Sequence, residues 1–379
     1  MARTLVLGAG MVGSVMALDL ARSGFDVSIA DASEHNLAQA ARRSPGRITP
    51  IREDLSNPAK VCALAARAEV VLGALPSKLG FGAMRGVILA GRPYCDISFM
   101  TEDFESLNAL ATQHGATVVA DCGVAPGMSH ILAAYGAGLL DDCQSIEIYV
   151  GGLPRERHWP FEYKAAFSPG DVIEEYTRPS RLVEHGKVVV REALSEPELM
   201  DFAGVGTLEA FNTDGLRSLT TSLRVPFMKE KTLRYPGHIA LMRAMRETGL
   251  FSTMPIEVNG QRVVPREVTS ALLFPKWTYE PGESDLTVMR VKAAGVKEGT
   301  PVSVSWNLLD FYDPASACTS MARTTAFPCT IVAGMLADGS FREPGVHPPE
   351  RLANLPGLVT RLLAELAQRG VAYEQSTTG

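Results

Sequence analysis

The feature that most constrains this chain is a glycine-rich turn near its N-terminus. Residues Gly8–Gly13 read G-x-G-x-x-G, directly after the apolar segment Thr4–Leu7 and before apolar residues at helical spacing. A strand, a glycine turn and a helix in this order are typical of the first unit of a dinucleotide-binding α/β sheet. In such a unit Gly8 makes the tight turn, Gly10 lets the backbone approach a pyrophosphate, and Gly13 lets the helix pack on the strand. We therefore expect this turn to bind a dinucleotide.

Further residues complete the expected dinucleotide site. The pyrophosphate would meet backbone N–H groups of Met11 and Val12, at the positive end of the first helix dipole. Asp31 ends the second apolar segment, 18 residues beyond Gly13, where a carboxylate can accept hydrogen bonds from both ribose hydroxyls. Asp31 also repels a 2′-phosphate, and no arginine follows it directly, so the sequence favours NAD over NADP.

Other candidate residues follow the later apolar segments. Asp54 is a candidate for the adenine edge, and a turn residue is an equally good interpretation of it. A ligand of an open α/β sheet lies beyond the carboxyl ends of its strands, which predicts that Leu75 and Pro76 lie near the nicotinamide. Asp96 and Asp121 are either turn residues or carboxylates directed at a cationic substrate.

The order of segments predicts two different domains. Strand-like and helix-like segments alternate over residues 1–125, which predicts a Rossmann-type nucleotide domain with a doubly wound parallel sheet. Beyond Gly151–Pro154, which we interpret as a break in the chain, longer strand-like segments dominate. They predict an α+β substrate-binding and oligomerisation domain over residues 126–319, with a mainly antiparallel sheet.

The expected elements can be stated as residue ranges. The expected strands are Thr4–Leu7, Val27–Ala30, Arg47–Ile51, Val70–Ala74, Pro93–Ser98 and Thr117–Ala120 in the first domain, and 145–150, 261–273, 284–295 and 301–311 in the second. The expected helices of the second half are His238–Leu250, a segment from Thr319 through Leu336, and 356–368, before a loose tail at 375–379. Trp159, Trp277 and Trp306 lie among apolar neighbours and are expected in the core.

Composition and charge exclude several classes of protein. The 379 residues are about two and a half times the ~150 of a typical domain, which agrees with two domains. A hydrophobic fraction of 46% excludes wholesale disorder, and a net charge of −6 without a basic run argues against a nucleic-acid or membrane-surface binder. No apolar stretch approaches ~18 residues and no charged-then-apolar leader is present, so we expect a cytoplasmic protein. The six cysteines form no C-x-x-C pair, so no metal site is expected.

Five further segments carry recognisable motifs along most of the chain. They are Asp121–Met128, Tyr163–Pro169, Phe211–Arg217, Lys231–His238 and Arg323–Pro328. Together with the glycine turn they resemble the saccharopine dehydrogenase family. Within that family they look most like lysine 6-dehydrogenases, NAD enzymes that oxidatively deaminate the ε-amino group of free L-lysine.

The resemblance has consequences for substrate and assembly. Saccharopine reductases usually carry an aspartate before the Pro-Gly where this chain has Ala125, which argues against saccharopine as the substrate. Asn212 lies within a resembling segment and is a candidate substrate contact. The resemblance also implies that the C-terminal helices, within 320–379, pack back on the nucleotide domain, and that the protein is a homodimer or homotetramer.

Oxidation of a lysine ε-amine requires particular groups. The ε-ammonium, with an ordinary pKa of ~10.4, must lose a proton before hydride can leave the carbon beside it. Asp96 and Asp121 are expected to hold the ammonium, and Lys164, His130 and His238 are candidate proton acceptors. Water then adds to the imine and ammonia leaves, giving a 6-semialdehyde that cyclises to a piperideine carboxylate.

The substrate α-carboxylate requires a basic partner. Residues 215–250 hold seven Lys/Arg against two acids, and among them Arg234 is expected to lie in a Tyr-Pro-Gly turn beside His238. That position suits bidentate recognition of a carboxylate. Arg323 and Thr324, at the start of an expected helix, are a second candidate because helix N-termini favour anions.

Two alternative functions stay open at the level of sequence. One is a reductive enzyme that joins an amino acid or polyamine to a carbonyl compound, as saccharopine or carboxynorspermidine dehydrogenases do. The other is a non-catalytic NAD-binding module that senses redox state.

Overall fold

The computed structural model of the protein describes residues 2–165, 167–280 and 282–379. Ala166, one residue of the motif segment Tyr163–Pro169, lies outside these ranges. The chain divides into two units: unit 1 runs to Leu132 and includes Ala322–Val371, and unit 2 contains Ala133–Met321 and Ala372–Gly379. The C-terminal helical residues 322–371 thus belong to unit 1, and the residues from 372 onwards, which the expected range 320–379 included, belong to unit 2.

The described residues form strands and helices in the following order. The strands are β1 (Arg3–Leu7), β2 (Asp26–Asp31), β3 (Ile48–Arg52), β4 (Val70–Gly73), β5 (Tyr94–Asp96), β6 (Thr117–Val119), β7 (Asp142–Pro154), β8 (Ser180–Glu184), β9 (Lys187–Arg191), β10 (Glu198–Phe202), β11 (Gly206–Asn212), β12 (Phe227–Arg234), β13 (Ile256–Val258), β14 (Gln261–Val263), β15 (Asp285–Lys297), β16 (Thr300–Phe311), β17 (Gly345–His347) and β18 (Tyr373–Thr378). The helices are α1 (Met11–Arg22), α2 (Glu34–Arg43), α3 (Pro58–Ala65), α4 (Ser77–Leu89), α5 (Asn108–Gln113), α6 (Met128–Gly138), α7 (Pro169–Thr177), α8 (Leu219–Ser222), α9 (His238–Glu247), α10 (Pro265–Trp277), α11 (Ser320–Asp338) and α12 (Leu358–Gln368), with 3₁₀ helices at Phe104–Leu107 and Pro349–Asn354. Among the described residues, no helix combines the length and apolarity needed to cross a bilayer.

Unit 1 is built on a parallel sheet with the strand order β17-β6-β5-β4-β1-β2-β3. Each neighbouring pair is parallel, and strands β1 and β4 are almost completely buried, as expected where both faces of a sheet are covered. The six expected strands of this domain are all present, and the predicted doubly wound sheet is confirmed. The strand order changes direction at β1, and this is the place where α/β proteins bind ligands.

Unit 2 contains a mixed sheet with the order β10-β11-β12-β7-β15-β16-β18, to which β8 and β9 are joined through β12. Its described pairs are antiparallel except for β7 with β12, so the expectation of a mainly antiparallel sheet is confirmed. The hairpin of β15 and β16 turns at Glu298 and Gly299, whose φ angles are +51° and +78°. Two successive positive φ angles match the tight turn whose twist suits a two-residue hairpin.

The interpretation of Gly151–Pro154 as a break is wrong, because β7 continues through all four residues. A Cβ on Gly151 would lie 2.8 Å from the carbonyl oxygen of Leu233 on β12. This glycine therefore allows two strands to approach each other within the sheet, and it does not end one.

The single strand expected over 261–273 is also wrong. Strand β14 ends at Val263, and α10 begins at Pro265 with Glu267 in its first turn. Proline at the first helical position and an acid in the first turn are helix-start signals, and here they outweigh the strand-like run of apolar residues.

Two further expectations need correction. The tail 375–379 is not loose, because Tyr373–Thr378 forms β18 and pairs with β16 from Leu308 to Ser303. Trp159 is 88% exposed and does not belong to the core, whereas Trp277 and Trp306 are fully buried as expected.

Candidate functional site

The glycine turn of unit 1 has the backbone geometry that a pyrophosphate site requires. Gly8 has φ of +99°, and a Cβ there would lie 2.4 Å from the carbonyl oxygen of Ala74. A Cβ on Gly13 would lie 2.0 Å from the carbonyl oxygen of Gly8. A Cβ on Gly10 would meet no atom within 4 Å, so the space beside this residue is open. Close contacts within the protein thus require glycine at positions 8 and 13, whereas the open space beside Gly10 fits a bound ligand.

The N-terminus of α1 adds an electrostatic reason for an anion to bind here. Gly10 precedes the helix and provides no side-chain cap, and the first turn contains no acidic residue. The N–H groups of Met11 and Val12 belong to this turn, and a helix N-terminus of this kind favours a phosphate. The residues present therefore fit the diphosphate of a dinucleotide.

Asp31 ties the end of β2 to the glycine turn. Its Oδ2 accepts a hydrogen bond from the N–H of Ala9 at 2.7 Å, and its Oδ1 accepts one from the N–H of Ser33 at 2.7 Å. The carboxylate is thereby fixed beside the turn, at the position predicted to contact the ribose hydroxyls.

The other predicted cofactor residues lie at neighbouring strand ends. Asp54 is exposed, and its Oδ1 accepts hydrogen bonds from the hydroxyl and the N–H of Ser56, which lower the pKa of Asp54. This is the turn role that was the alternative to an adenine contact. Leu75 follows β4, and its Cδ2 lies 3.3 Å from the position that a Cβ on Gly8 would occupy. Pro76 is the N-cap residue of α4.

Asp96, the last residue of β5, is completely buried. It accepts hydrogen bonds from the hydroxyl of Tyr94 at 2.8 Å and from the N–H and hydroxyl of Ser98, each at 2.9 Å. Burial raises the pKa of Asp96 to about 7, with a further contribution from the nearby Asp121 and against the effect of these hydrogen bonds. In this arrangement Asp96 holds the loop after β5 and has no exposed surface for a substrate ammonium.

Asp121 and His130 are also enclosed within unit 1. Asp121 is 1% exposed, has φ of +50°, and is close enough to Asp96 to influence its ionisation. His130 is fully buried, and its Nδ1 lies 3.0 Å from the hydroxyl of Ser129. The structure thus brings the two carboxylates close to each other and buries His130, and the predicted roles of all three residues stay predictions.

Unit 2 contains a cavity of about 290 Å³. Aromatic rings, prolines and charged side chains line it: Pro154, Glu156, His158, Trp159, Pro160, Phe161, Tyr163, Lys164, Pro275 and Lys276. This combination of an apolar wall and a few polar groups is typical of small-molecule sites.

Lys164 lies in the wall of this cavity as a cation. Its Nζ donates to the carboxylate of Glu283, and its side chain is 14% exposed. Burial would raise the pKa of Glu283, but the hydrogen bond and charge of Lys164 outweigh burial and lower it. The amine of Lys164 is thus held by Glu283 at the cavity wall, and its role as proton acceptor stays a prediction.

A buried polar network lies behind Tyr163 in the cavity wall. Arg234 is 2% exposed, and its Nη2 donates to Glu175 at 2.8 Å and to the hydroxyl of Tyr163 at 3.4 Å. Its Nε donates to the hydroxyl of Tyr176 at 3.3 Å, and its Nη1 donates to the carbonyl of Leu233 at 3.0 Å. Arg234 is therefore the buried end of β12 and not part of the turn that follows. Its bonds within the protein do not leave the bidentate face predicted for a substrate carboxylate.

His238 belongs to the same network. The carbonyl of Phe161 can only accept, so Nδ1 of His238 donates to it at 2.8 Å. Nε2 of His238 consequently accepts from the hydroxyl of Tyr176 at 2.9 Å. Burial and the charge of Arg234 lower the pKa of His238 to about 3, so this ring is neutral with both nitrogens occupied. Both ring nitrogens of His238 are therefore engaged within the protein, and its role as proton acceptor or substrate contact stays a prediction.

The remaining predicted substrate contacts lie in separate places. Asn212 is buried at the end of β11, where its Nδ2 donates to Ser195 at 3.1 Å and Glu196 at 3.0 Å, and its Oδ1 has no partner among the described residues. Arg323, in the first turns of α11, donates to the carbonyl of Arg369 at the end of α12 at 3.2 Å. Thr324 is fully buried.

Sequence reasoning missed several polar residues of unit 2. Glu283 was not considered, although it pairs with Lys164 across 119 residues of sequence. Glu230 was treated only as a counter-charge, yet it is 4% exposed and accepts a hydrogen bond from the hydroxyl of Thr213. Burial raises the pKa of Glu230 to about 8, against this hydrogen bond. Tyr163 was also missed, and its place beside Lys164 in the motif segment Tyr163–Pro169 is the sequence signal that could have identified it.

Among the described residues, no group of three or more His, Cys, Asp or Glu side chains could hold a metal ion.

Comparison with known proteins gives two family matches. The model described as "Saccharopine dehydrogenase NADP binding domain" matches residues 4–119. The model described as "Saccharopine dehydrogenase C-terminal domain" matches residues 123–371. The two matches follow one another along the chain and cover both units.

Individual relatives are distant. The mitochondrial alpha-aminoadipic semialdehyde synthase of Bos taurus is 23% identical over 99% of this chain and 48% of its own length, so this chain spans about half of that protein. A saccharopine dehydrogenase (NADP(+), L-glutamate-forming) of Schizosaccharomyces pombe is 21% identical over 81% of this chain and 84% of its own. A carboxyaminopropylagmatine dehydrogenase of Synechocystis sp. is 22% identical over 100% of this chain and 98% of its own.

One solved structure matches over the full length of both chains. It is the apo histidine-tagged saccharopine dehydrogenase (L-Glu forming) of Saccharomyces cerevisiae, with a TM-score of 0.82 and 18% sequence identity. At this identity the match shows a common fold.

Proposed function

This chain belongs to the saccharopine dehydrogenase family, and from that premise we propose that it is an NAD-dependent dehydrogenase that oxidatively deaminates the ε-amine of L-lysine. The observation that supports the redox part most directly is the glycine turn, with open space at Gly10 and the Asp31 carboxylate fixed beside it. The substrate rests on the resemblance of the motif segments to lysine 6-dehydrogenases and on Ala125, which stands where saccharopine reductases usually carry an aspartate.

The choice of NAD over NADP rests on Asp31, which ends β2. Its carboxylate would repel a 2′-phosphate on the ribose that it is expected to bind. This proposal differs from the family model and from the S. pombe relative, whose names specify NADP.

The residues of the protein have distinct tasks in this proposal. Gly8–Gly13 and Asp31 would hold the dinucleotide, and its nicotinamide would accept the hydride that leaves the carbon beside the amine. Asp96 and Asp121 are buried carboxyls, at the end of β5 and just beyond β6, and Asp96 holds the loop after β5 through Ser98. Lys164 would attract the α-carboxylate of the amino acid at the cavity of unit 2, with its own charge balanced by Glu283.

A second candidate function is reductive coupling of an amine and a carbonyl compound with NADPH. The names of the relatives favour it, because they specify saccharopine and carboxyaminopropylagmatine. A homodimer or homotetramer, a cytoplasmic location and the candidate site residues all remain predictions.

The test is formation of NADH at 340 nm with L-lysine between pH 7 and pH 10, together with release of ammonia. Lysine-dependent NADH with one ammonia per NADH supports the proposal. Turnover of saccharopine or of an amine with a semialdehyde, without ammonia, selects the second candidate. Binding of NADH without turnover on any amine would indicate a redox sensor. Gly10→Ala is the control for background activity, since we expect it to fold without binding the dinucleotide.

A further inference from the structure

Arg52 lies at the outer edge of the expected ribose site. It ends β3 and stands opposite Asp31, the last residue of β2, in the parallel pairing of the two strands. Its guanidinium pairs with the carboxylate of Glu34 in the first turn of α2. The side chains of Arg52 and Glu34 are 66% and 71% exposed, so both are accessible to a ligand.

The charges around this position discriminate between the two dinucleotides. NADP differs from NAD by a 2′-phosphate on the ribose, a group with a charge approaching −2 at neutral pH. With the ribose at Asp31, this phosphate would meet the carboxylates of Asp31 and Glu34 and the guanidinium of Arg52. A guanidinium is the preferred partner of a phosphate in proteins, because its N–H groups match the phosphate oxygens. Arg52 would therefore be a phosphate ligand if Glu34 did not occupy it.

We propose that Glu34 is a second residue that excludes NADP, because it binds Arg52 and withholds that guanidinium from the 2′-phosphate. Asp31 acts by direct contact with the ribose, whereas Glu34 acts by removing a partner from the competing ligand. This inference rests on the proposed function, since it assumes that a dinucleotide binds with its ribose at Asp31.

An exposed ion pair can be opened without loss of the fold. Such a pair contributes about 0–1 kcal/mol to stability, so Glu34→Gln and Arg52→Gln should melt close to the wild type. The chain also offers a matched control. Glu343 and Arg351 form a similar exposed pair, with side chains 50% and 48% exposed, next to β17 at the opposite edge of the same sheet.

The experiment is direct titration of the full chain with NADH and NADPH, followed by nicotinamide fluorescence and needing no turnover. We expect the wild type to bind NADH more tightly. Glu34→Gln should shift the ratio of the two dissociation constants up to about fivefold towards NADPH, because the withholding effect is limited to the ~1 kcal/mol that an exposed ion pair can contribute. The double variant Glu34→Gln/Arg52→Gln should return to the wild-type ratio, and Glu343→Gln should leave the ratio unchanged.

Other outcomes overturn the inference in distinguishable ways. Tighter binding of NADPH by the wild type, or an unchanged ratio in Glu34→Gln, would show that Glu34 does not exclude NADP. An equal shift in Glu343→Gln would show an effect of overall charge. A large loss of NADH affinity in Arg52→Gln alone would make Arg52 a ligand of NAD. If the wild type binds neither dinucleotide, the proposed function fails, and the inference fails with it.

Discussion

Arg234 and Glu175 form an ion pair, with Nη2 of Arg234 2.8 Å from the carboxylate, and their side chains are 2% and 19% exposed. The two residues are 59 positions apart in sequence, at the end of β12 and in α7. Because Arg234 also donates to Tyr163 in the cavity wall, the pair supports the shape of the cavity. A charge left alone in such a place has no compensation.

Loss of Arg234 should therefore reduce stability. Arg234→Met is expected to lower the free energy of unfolding by on the order of 3 kcal/mol, because the Glu175 carboxylate, only 19% exposed, loses its partner. Denaturant unfolding measures the change. The double variant Arg234→Met/Glu175→Leu should recover much of the loss. Unchanged stability with a raised KM for lysine would instead restore Arg234 as the carboxylate ligand.

The glycine turn allows binding to be separated from folding. Gly10→Ala should keep the wild-type melting temperature, because its Cβ would meet no protein atom within 4 Å, yet it should weaken NADH binding at least tenfold. Gly13→Ala should instead unfold at lower temperature, since its Cβ would lie 2.0 Å from the Gly8 carbonyl oxygen. Calorimetry and NADH titration give the two readouts. Wild-type binding by Gly10→Ala would place the pyrophosphate elsewhere.

The pKa of Glu230 predicts that stability depends on pH. Its carboxyl has a pKa of about 8 in the folded protein and an ordinary value of 4.5. Between these values the unfolded chain has released a proton that the folded chain retains, so stability falls as pH rises from 4.5 to 8 and then levels off. Glu230→Gln should make this slope shallower, leaving the part due to Asp96, whose pKa is also raised, and its stability relative to wild type should rise by on the order of a few kcal/mol from pH 5 to pH 8.

Urea unfolding at several pH values tests this expectation. Glu192→Gln, whose side chain is 85% exposed, serves as the control and should keep the wild-type slope. A slope in Glu230→Gln as steep as that of the wild type would assign the pH dependence to other groups.

Substitution of two lysines in the cavity wall tests whether Lys164 binds an anion or accepts a proton. Lys164→Gln should raise KM for lysine about tenfold or more, because one charge-assisted hydrogen bond to the carboxylate is lost. Lys276→Gln removes an exposed charge from the same cavity and should have a much smaller effect. Steady-state kinetics across pH 7 to 10 separate the cases. A fall in kcat with a changed pH profile would make Lys164 the proton acceptor predicted from sequence.

The nucleotide domain was predictable because its signals are local. The glycine turn and Asp31 lie within one strand–helix–strand unit, so spacing along the chain relates directly to distance in space. Unit 2 lacked such signals. Lys164 meets Glu283 across 119 residues, and His238 meets Tyr176 across 62, and no sequence period encodes either pair.

Errors in the second domain have physical causes too. Gly151 within β7 was interpreted as part of a break. A glycine is needed there because β12 approaches closely, and the sequence does not show which strand is the neighbour. The start of α10 was missed because its apolar residues resemble a strand until Pro265 is considered as a first helical residue.

The pairing of β18 with β16 has a consequence for synthesis of the protein. A ribosome releases the chain from its N-terminus, so β18 emerges only after the residues 322–371 that complete unit 1. Until then the backbone N–H and C=O groups of β16 that pair with β18 have no strand beside them. Nascent chains with such unpaired strand edges are prone to associate with one another. Translation that stalls before residue 372 should therefore leave a nascent chain that depends on a chaperone.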